Sequence, residues 1–209
     1  GLPAWAGALL RSRRGGLLLP QCLCYNCVMR HDDFRRYSHQ PPHLFVPKGV
    51  YFITAATYYK RPMFCSPEQK DFVLRTLFDQ AERYGWRIEA WAVFHNHYHL
   101  VTHAPENAMT LSQFLRATHS ITARYLNAQD NVTGRKVWHQ YRDTCLTSEG
   151  AYLARLRYTH ENPVKHGVAR DAAEYPWCSM RDLLKDSDPA HRIRVLEAKI
   201  DQLTIPDDF

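Results

Sequence analysis

The amino-acid sequence predicts an α+β fold with a single antiparallel sheet, helices mainly on one face and a helical extension at the C-terminal end. Segments rich in β-branched and aromatic residues alternate with segments of helical periodicity, in the order strand, helix, two strands, helix, strand and further helices. Only a residue or two separates the second strand from the third, which indicates a hairpin. This order is that of a ferredoxin-like sandwich, and we expect its other sheet face to be open to a ligand.

The first half of this order begins with a strand at residues 50–58 (VYFITAATY). A helix follows, with Ser66 as its N-cap, Pro67 in its first turn and Gly85 as its stop. Residues 87–94 form the second strand, and the third strand contains four histidines.

The second half predicts a helix at about residues 110–127, a fourth strand at residues 137–142 and another helix that begins at residues 148–149. We expect this helix to end at Asn162, because Pro163 follows and disfavours helical backbone in the residue before it.

The chain of 209 residues divides into three parts in this interpretation. Residues 1–28 are expected to be a tail, either disordered or translated from a misassigned start. Residues 29–180 form the folded domain. Residues 181–209 form the helical extension, with a last helix at about residues 189–203. The apolar run in the tail ends at Pro20 and is too short to span a bilayer, so we expect no membrane partner.

The charge of the chain favours a polyanionic partner. The net charge is +6 with a calculated pI near 9.0, which makes nucleic acid the leading class. The cysteines form no disulfide framework, and the spacing of Cys22, Cys24 and Cys27 fits no familiar zinc site. A reducing cytoplasm is therefore the expected compartment.

Residues 94–103 (FHNHYHLVTH) carry the most informative pattern. Successive side chains in a strand point to opposite faces, so the histidines share one face while Tyr98 and Leu100 occupy the other. Two imidazoles at this spacing are able to converge on one metal ion. Ordinary polar residues on a solvated face are the alternative reading. The histidines concerned are His95, His97, His99 and His103.

The helix that follows the fourth strand contains two tyrosines with different predicted roles. Tyr152 falls on the apolar stripe with Leu156 and is interpreted as a core residue. Tyr158 lies about 200° around the helix from Leu156, on the opposite side. Its helical neighbours there are Arg155 and Asn162, so we predict a tyrosine on the polar face, placed for chemistry or simply exposed.

Three segments together resemble a known family. Residues 95–99 (HNHYH) resemble the HUH motif of single-tyrosine transposases. Residues 158–167 (YTHENPVKHG) resemble the tyrosine helix of the REP-associated tyrosine transposase branch, and residues 138–142 (WHQYR) resemble a strand between the two. The resemblance extends over residues 34–177.

This resemblance implies a metal-dependent single-stranded DNA endonuclease and strand transferase that forms a 5′-phosphotyrosine intermediate at REP-type hairpins. It implies that Tyr158 is the nucleophile and that His97, His99 and Asn162 hold a divalent metal, Mg²⁺ or Mn²⁺, against the scissile phosphate. Arg155 would favour the phenolate. We choose His97 and His99 over the equally spaced His95 and His97, because the apolar Tyr98 separates the first pair. A bare histidine pair by itself would favour zinc or another late transition metal.

Single-stranded DNA is held by basic grooves with aromatic platforms. We expect Arg35 and Arg36 to be the most important basic contacts, because in the family the segment before the first strand helps to read the foot of the hairpin. The full set of predicted DNA contacts is Arg35, Arg36, Lys48, Lys60, Arg61, Arg116, Arg124, Arg142, Arg155 and Lys165.

Two other functions remain open at this point. A non-catalytic protein that binds structured single-stranded nucleic acid would need only the sheet and the positive charge. A zinc-dependent hydrolase would use the histidines without a covalent tyrosine. The sequence also leaves open whether the protein is a monomer or a homodimer.

Overall fold

The structure, a computed structural model, describes residues 45–200 and contains one four-stranded antiparallel sheet in that part of the chain. The strand order is β2-β3-β1-β4, and each neighbouring pair is antiparallel. The predicted α+β class with a single antiparallel sheet is therefore confirmed. The strands are β1 (Val50–Thr57), β2 (Arg87–Val93), β3 (His97–His103) and β4 (Trp138–Leu146).

Five α-helices accompany the sheet in the described range: α1 (Pro67–Tyr84), α2 (Leu111–Gln129), α3 (Glu149–Lys165), α4 (Met180–Asp186) and α5 (Pro189–Glu197). None of these helices combines the length and the apolar character that a bilayer span requires. The predicted tail at residues 1–28, the cysteine cluster, Arg35 and Arg36 lie outside the described residues.

Helix α1 has the bounds that the sequence predicts. The Ser66 hydroxyl accepts a hydrogen bond from the Gln69 amide N–H, and the Gln69 side chain accepts one from the Ser66 N–H. This reciprocal pair satisfies two N–H groups that a helix start leaves without partners. At the other end Gly85 adopts a left-handed backbone, with φ of 76°, and ends the helix.

Helices lie on both faces of the sheet, so the second face is less open than the sequence predicts. Tyr51 and Ile53 of β1 pack on the side of α1 and α2. Phe52 points the other way and packs with Leu156 of α3. The second face is itself apolar, so exposure to water would be costly, and α3 covers part of it.

Helix α3 runs through Pro163 to Lys165, so the predicted end at Asn162 is wrong. Pro163 has no N–H with which to bond the carbonyl of Thr159. The Cys178 thiol approaches that carbonyl and donates to the next one, with Sγ 3.8 Å from Thr159 O and 3.4 Å from His160 O. A side chain from a later segment thus compensates for the missing backbone donor.

The outer edge of β2 is partly covered by the segment that contains Cys178. The Val93 N–H donates to the carbonyl of Trp177, and the Ser179 N–H donates to the carbonyl of Trp91, at 2.9 and 3.0 Å. Among residues 45–200, no strand pairs with the outer edge of β4. Within the described part of the chain, the edge at β2 is therefore partly covered and the edge at β4 is open.

Candidate active site

Three imidazoles converge between the sheet and the end of α3. Strand β3 places His97 and His99 on the face that α3 covers, and His166 is the residue that caps α3. Their candidate ligand nitrogens all lie within 4.8 Å of one another. His97 and His99 are buried, whereas His166 is half-buried. Neutral imidazole nitrogens at this separation form a ready donor set for a divalent metal.

The two strand histidines are oriented by hydrogen bonds from their Nδ1 atoms. His97 Nδ1 lies 2.8 Å from Asn96 Oδ1, and Asn96 Nδ2 donates to the carbonyl of Lys60 at 3.0 Å. An amide oxygen only accepts, so the proton of His97 sits on Nδ1 and Nε2 is the atom that could coordinate a metal. His99 Nδ1 lies 2.8 Å from Thr54 Oγ1, so Nε2 is again the atom that could coordinate a metal.

Tyr158 lies beside this cluster. Its ring centroid is 5.4 Å from that of His99 and 5.9 Å from that of Phe52, edge-on to both. The predicted separation of Tyr158 from the apolar side of the helix is wrong, because Tyr158 is only 5% exposed and packs in the same apolar cluster as Leu156. Helix α3 lies between the sheet and α5, so more than one of its sides is buried.

Tyr158, Asn162 and His166 follow one another at intervals of four residues, so helical geometry places them on one side of α3 and its C-cap. The Asn162 side-chain amide donates to the carbonyl of Tyr158 at 3.2 Å. Its Oδ1 is buried and has no hydrogen-bond partner among the described residues. A buried carbonyl oxygen without a donor costs free energy, and a hard cation would satisfy it. The donor set therefore fits a divalent metal.

Positive charge flanks the tyrosine. The Arg155 guanidinium lies over the ring of Phe52, 5.2 Å from its centroid, and Lys165 Nζ lies 4.8 Å from the centroid of Tyr158. Burial lowers the pKa of Arg155, and the nearby Tyr158 opposes that shift. Arg155 Nε and Nη1 are buried without hydrogen-bond partners among the described residues. Such donors are suited to an anion such as a phosphate.

A pocket of about 660 Å³ lies beside α3, and none of the three clustered histidines lines it. Tyr158 and Lys165 line it together with Arg170 and Met180.

The other predicted DNA contacts divide by position. Lys60 and Arg61 are exposed after β1, next to Asn96. Arg142 is exposed in β4 and pairs across from Thr54, whose side chain contacts His99. Side chains that are directly opposite in a sheet share a face, so Arg142 lies on the histidine face.

Three predicted contacts are not brought to the site. Lys48 pairs with Glu106 before the start of β1, at the His103 end of the sheet. That end is roughly 20 Å from His97 at the usual rise of a strand. Arg116 and Arg124 are exposed on α2, which packs against the opposite face of the sheet.

His166 is the site residue that the sequence analysis missed. The signal was present, because His166 follows Asn162 by four positions and Tyr158 by eight. A helix end at Asn162 would place His166 outside the helix, where a spacing of four residues does not imply a shared side.

A family model described as Transposase IS200 like matches residues 46–153, a range that includes the β3 histidines and stops before Tyr158. The comparison with curated proteins found no match.

Two solved structures are similar to the chain. One is described as the structure of the REP associates tyrosine transposase bound to a REP hairpin. Its TM-score is 0.61 at 17% identity, over 79% of this chain and 95% of the other. A putative transposase from Deinococcus radiodurans has a TM-score of 0.40 at 22% identity, over 65% of this chain and 100% of the other. The first of these likenesses shows a shared fold. The family model covers more than half of the 209 residues, and this chain therefore belongs to the IS200-like transposase family.

Proposed function

We propose that this transposase is a metal-dependent single-stranded DNA endonuclease and strand transferase that uses Tyr158 as its nucleophile. The observation that carries the proposal is the convergence of a strand and a helix. The Tyr158 ring lies 5.4 Å from the His99 ring, beside a cluster of three imidazoles. A phenol next to a metal-binding donor set and two cations is the arrangement that phosphodiester attack requires.

The metal would be held by His97, His99 and Asn162, with His166 as a further imidazole ligand. A bound divalent ion supplies Lewis-acid neutralisation of the phosphate oxygens. Imidazole suits transition metals better than it suits Mg²⁺. We therefore expect Mn²⁺ to support the reaction better than Mg²⁺ does.

The protein groups divide the remaining work. The Tyr158 phenol passes its proton to solvent and its oxygen forms a bond to phosphorus. The bond from phosphorus to the 3′ oxygen breaks, and that oxygen takes a proton from solvent to become a free 3′-hydroxyl. The Arg155 guanidinium stabilises the phenolate and donates to the phosphate, and Lys165 adds a second positive charge. The 5′-phosphotyrosine bond retains the energy of the broken bond. Transfer to another 3′-hydroxyl then needs no nucleotide cofactor.

The substrate we propose is single-stranded DNA next to a REP-type hairpin. Two observations support this choice: the similar fold of the transposase that was solved with a REP hairpin, and the resemblance of residues 158–167 to the tyrosine helix of that branch. The net charge of +6 is in keeping with a DNA partner.

A covalent-adduct assay tests the proposal. A labelled hairpin oligonucleotide is incubated with the full chain and Mn²⁺, and the products are separated under denaturing conditions. We expect a protein–DNA adduct that is lost in Tyr158→Phe and retained in Tyr125→Phe, a tyrosine on α2 behind the sheet. Cleavage that survives in Tyr158→Phe would instead favour a hydrolase. Binding without cleavage would favour the non-catalytic alternative.

A further inference from the structure

The segment after β1 holds two consecutive residues in an uncommon backbone conformation. Tyr59 has φ of 57° and ψ of 25°, and Lys60 has φ of 54°. This left-handed region is disfavoured for bulky side chains and persists only where surrounding contacts hold it. The conformation turns the Tyr59 ring outward, with 70% of the residue exposed. Strain that presents an aromatic ring to solvent points to a binding role.

Hydrogen bonds fix this segment from three directions. The Thr57 N–H donates to the carbonyl of Asn96 at 2.7 Å, and the Tyr58 N–H donates to the carbonyl of Val137 at 2.7 Å. The Thr57 hydroxyl donates to the carbonyl of Arg61 at 2.6 Å, which closes the segment on itself. The segment is therefore positioned before any ligand arrives.

Aromatic rings and cations alternate on the surface that results. The Tyr58 and Tyr59 ring centroids are 4.2 Å apart. Lys136 Nζ lies 4.4 Å from the centroid of Tyr58, and the Arg61 guanidinium lies 5.5 Å from that of Tyr59. The ring of His139 stacks on Tyr58 at 6.2 Å. We call these five residues the tyrosine platform.

The tyrosine platform is linked to the candidate metal site through one side chain. Asn96 Nδ2 donates to the carbonyl of Lys60, and Asn96 Oδ1 accepts from His97 Nδ1. The same amide thus connects the strained segment with the orientation of a metal-binding imidazole. A DNA strand held at the platform would lie at the rim of the site.

We propose that the tyrosine platform is a stacking site for an unpaired base of the single-stranded DNA substrate. This inference rests on the proposed function, because it assumes that substrate class. Every base offers a face for stacking, and the flanking cations suit the phosphates on either side. Unpaired bases are also the part of a hairpin substrate that has a ring face to offer.

The test measures binding of the full chain to two labelled probes in EDTA, so that cleavage does not contribute. One probe is a single-stranded oligothymidylate of about 12 nucleotides, within the range of known single-strand sites. The other probe has the same backbone without bases. The variants are Tyr59→Gly, Tyr59→Trp and, as a control of equal exposure, Met109→Ala, whose residue is 67% exposed.

We expect Tyr59→Gly to weaken binding of the base-containing probe about tenfold and to leave binding of the abasic probe unchanged. Tyr59→Trp and Met109→Ala should bind as the unaltered chain does. Glycine tolerates the left-handed backbone, so the melting temperature of Tyr59→Gly should equal or exceed that of the unaltered chain. A loss of binding therefore cannot be attributed to unfolding.

Equal binding of the base-containing probe by Tyr59→Gly and the unaltered chain would overturn the platform, as would an equal loss with both probes. Failure of the unaltered chain to bind the oligothymidylate would overturn it too. These outcomes are distinct from failure of the proposed function, which shows as a missing Tyr158 adduct in Mn²⁺. If Tyr59→Gly weakens binding of the base-containing probe but the unaltered chain forms no Tyr158 adduct, the tyrosine platform stands and the strand-transferase function is rejected.

Discussion

The nitrogen and the oxygen of the Asn162 side-chain amide have different surroundings. Its nitrogen donates to the backbone of Tyr158, while its buried oxygen has no donor among the described residues. A purely structural asparagine would satisfy both ends, because an unsatisfied buried polar atom costs about 1–3 kcal/mol. In the proposed function this oxygen would bind the metal ion, a partner that no group among residues 45–200 replaces.

His166 permits a direct test of the donor set. Loss of its imidazole in His166→Ala should weaken Mn²⁺ binding at least about tenfold, a loss that removal of an outer-shell partner alone produces in metal sites. Titration calorimetry on the full chain measures this affinity without DNA. The control is His139→Ala, an exposed histidine outside the cluster. Equal affinities of His166→Ala and the unaltered chain would exclude His166 as a metal ligand.

For single residues, the sequence predicts the features that follow from strand or helix periodicity. The strand alternation that predicts a shared face for His97 and His99 is a local property of extended backbone. The buried donors of Arg155 were not predictable, since they depend on how α3 packs on Phe52. Burial of Tyr158 was hidden for the same reason, because the elements that cover α3 come from distant parts of the chain.

The helices differ in how far local signals decide their ends. Ser66 and Gly85 bound α1 by contacts within a few residues, and the sequence predicts both ends. The end of α3 was mispredicted because a thiol fifteen residues beyond Pro163 compensates for the proline. A local rule failed where a tertiary contact replaced the missing donor.

Two glycines give opposite predictions for helix stability. Gly85→Ala places a Cβ in a left-handed residue, 3.3 Å from Pro105 Cβ. We expect it to lower the free energy of unfolding by about 1–2 kcal/mol. Gly150→Ala lies in the first turn of α3 with open space around its Cβ, so it should stabilise by up to about 0.5 kcal/mol. Urea denaturation measures both, and a loss of stability in Gly150→Ala would contradict this account.

Buried neutral histidines make the stability of the whole molecule depend on pH. Burial lowers the pKa of His119 to about 3 and that of His160 to about 4, from an ordinary value of 6.5. Below pH 6.5 the unfolded chain therefore binds more protons than the folded chain. As the pH is lowered from 6.5 to 5, the free energy of unfolding should fall, by up to about 1.4 kcal/mol per pH unit for each histidine.

Denaturation at several pH values measures this slope, and His119→Gln should reduce it, because one of the buried neutral histidines is lost. The carboxyl of Glu89 contributes stability that is lost at lower pH, as the pH falls below the ordinary pKa of a glutamate. Burial raises the pKa of Glu89, but hydrogen bonds from His103 and Tyr152 outweigh burial and lower its pKa overall. A slope that is the same in His119→Gln and the unaltered chain would contradict the assignment.

The unequal edges of the sheet limit how such molecules can associate. The Trp177–Ser179 segment already uses backbone groups of β2 at Trp91 and Val93, so a foreign strand cannot pair there. Within residues 45–200 an added strand would have to pair with β4. In a dimer joined through the two β4 edges, the outer edge of each sheet would be the edge of β2 that the Trp177–Ser179 segment covers. Such a contact closes on itself at two copies and does not propagate into a fibre.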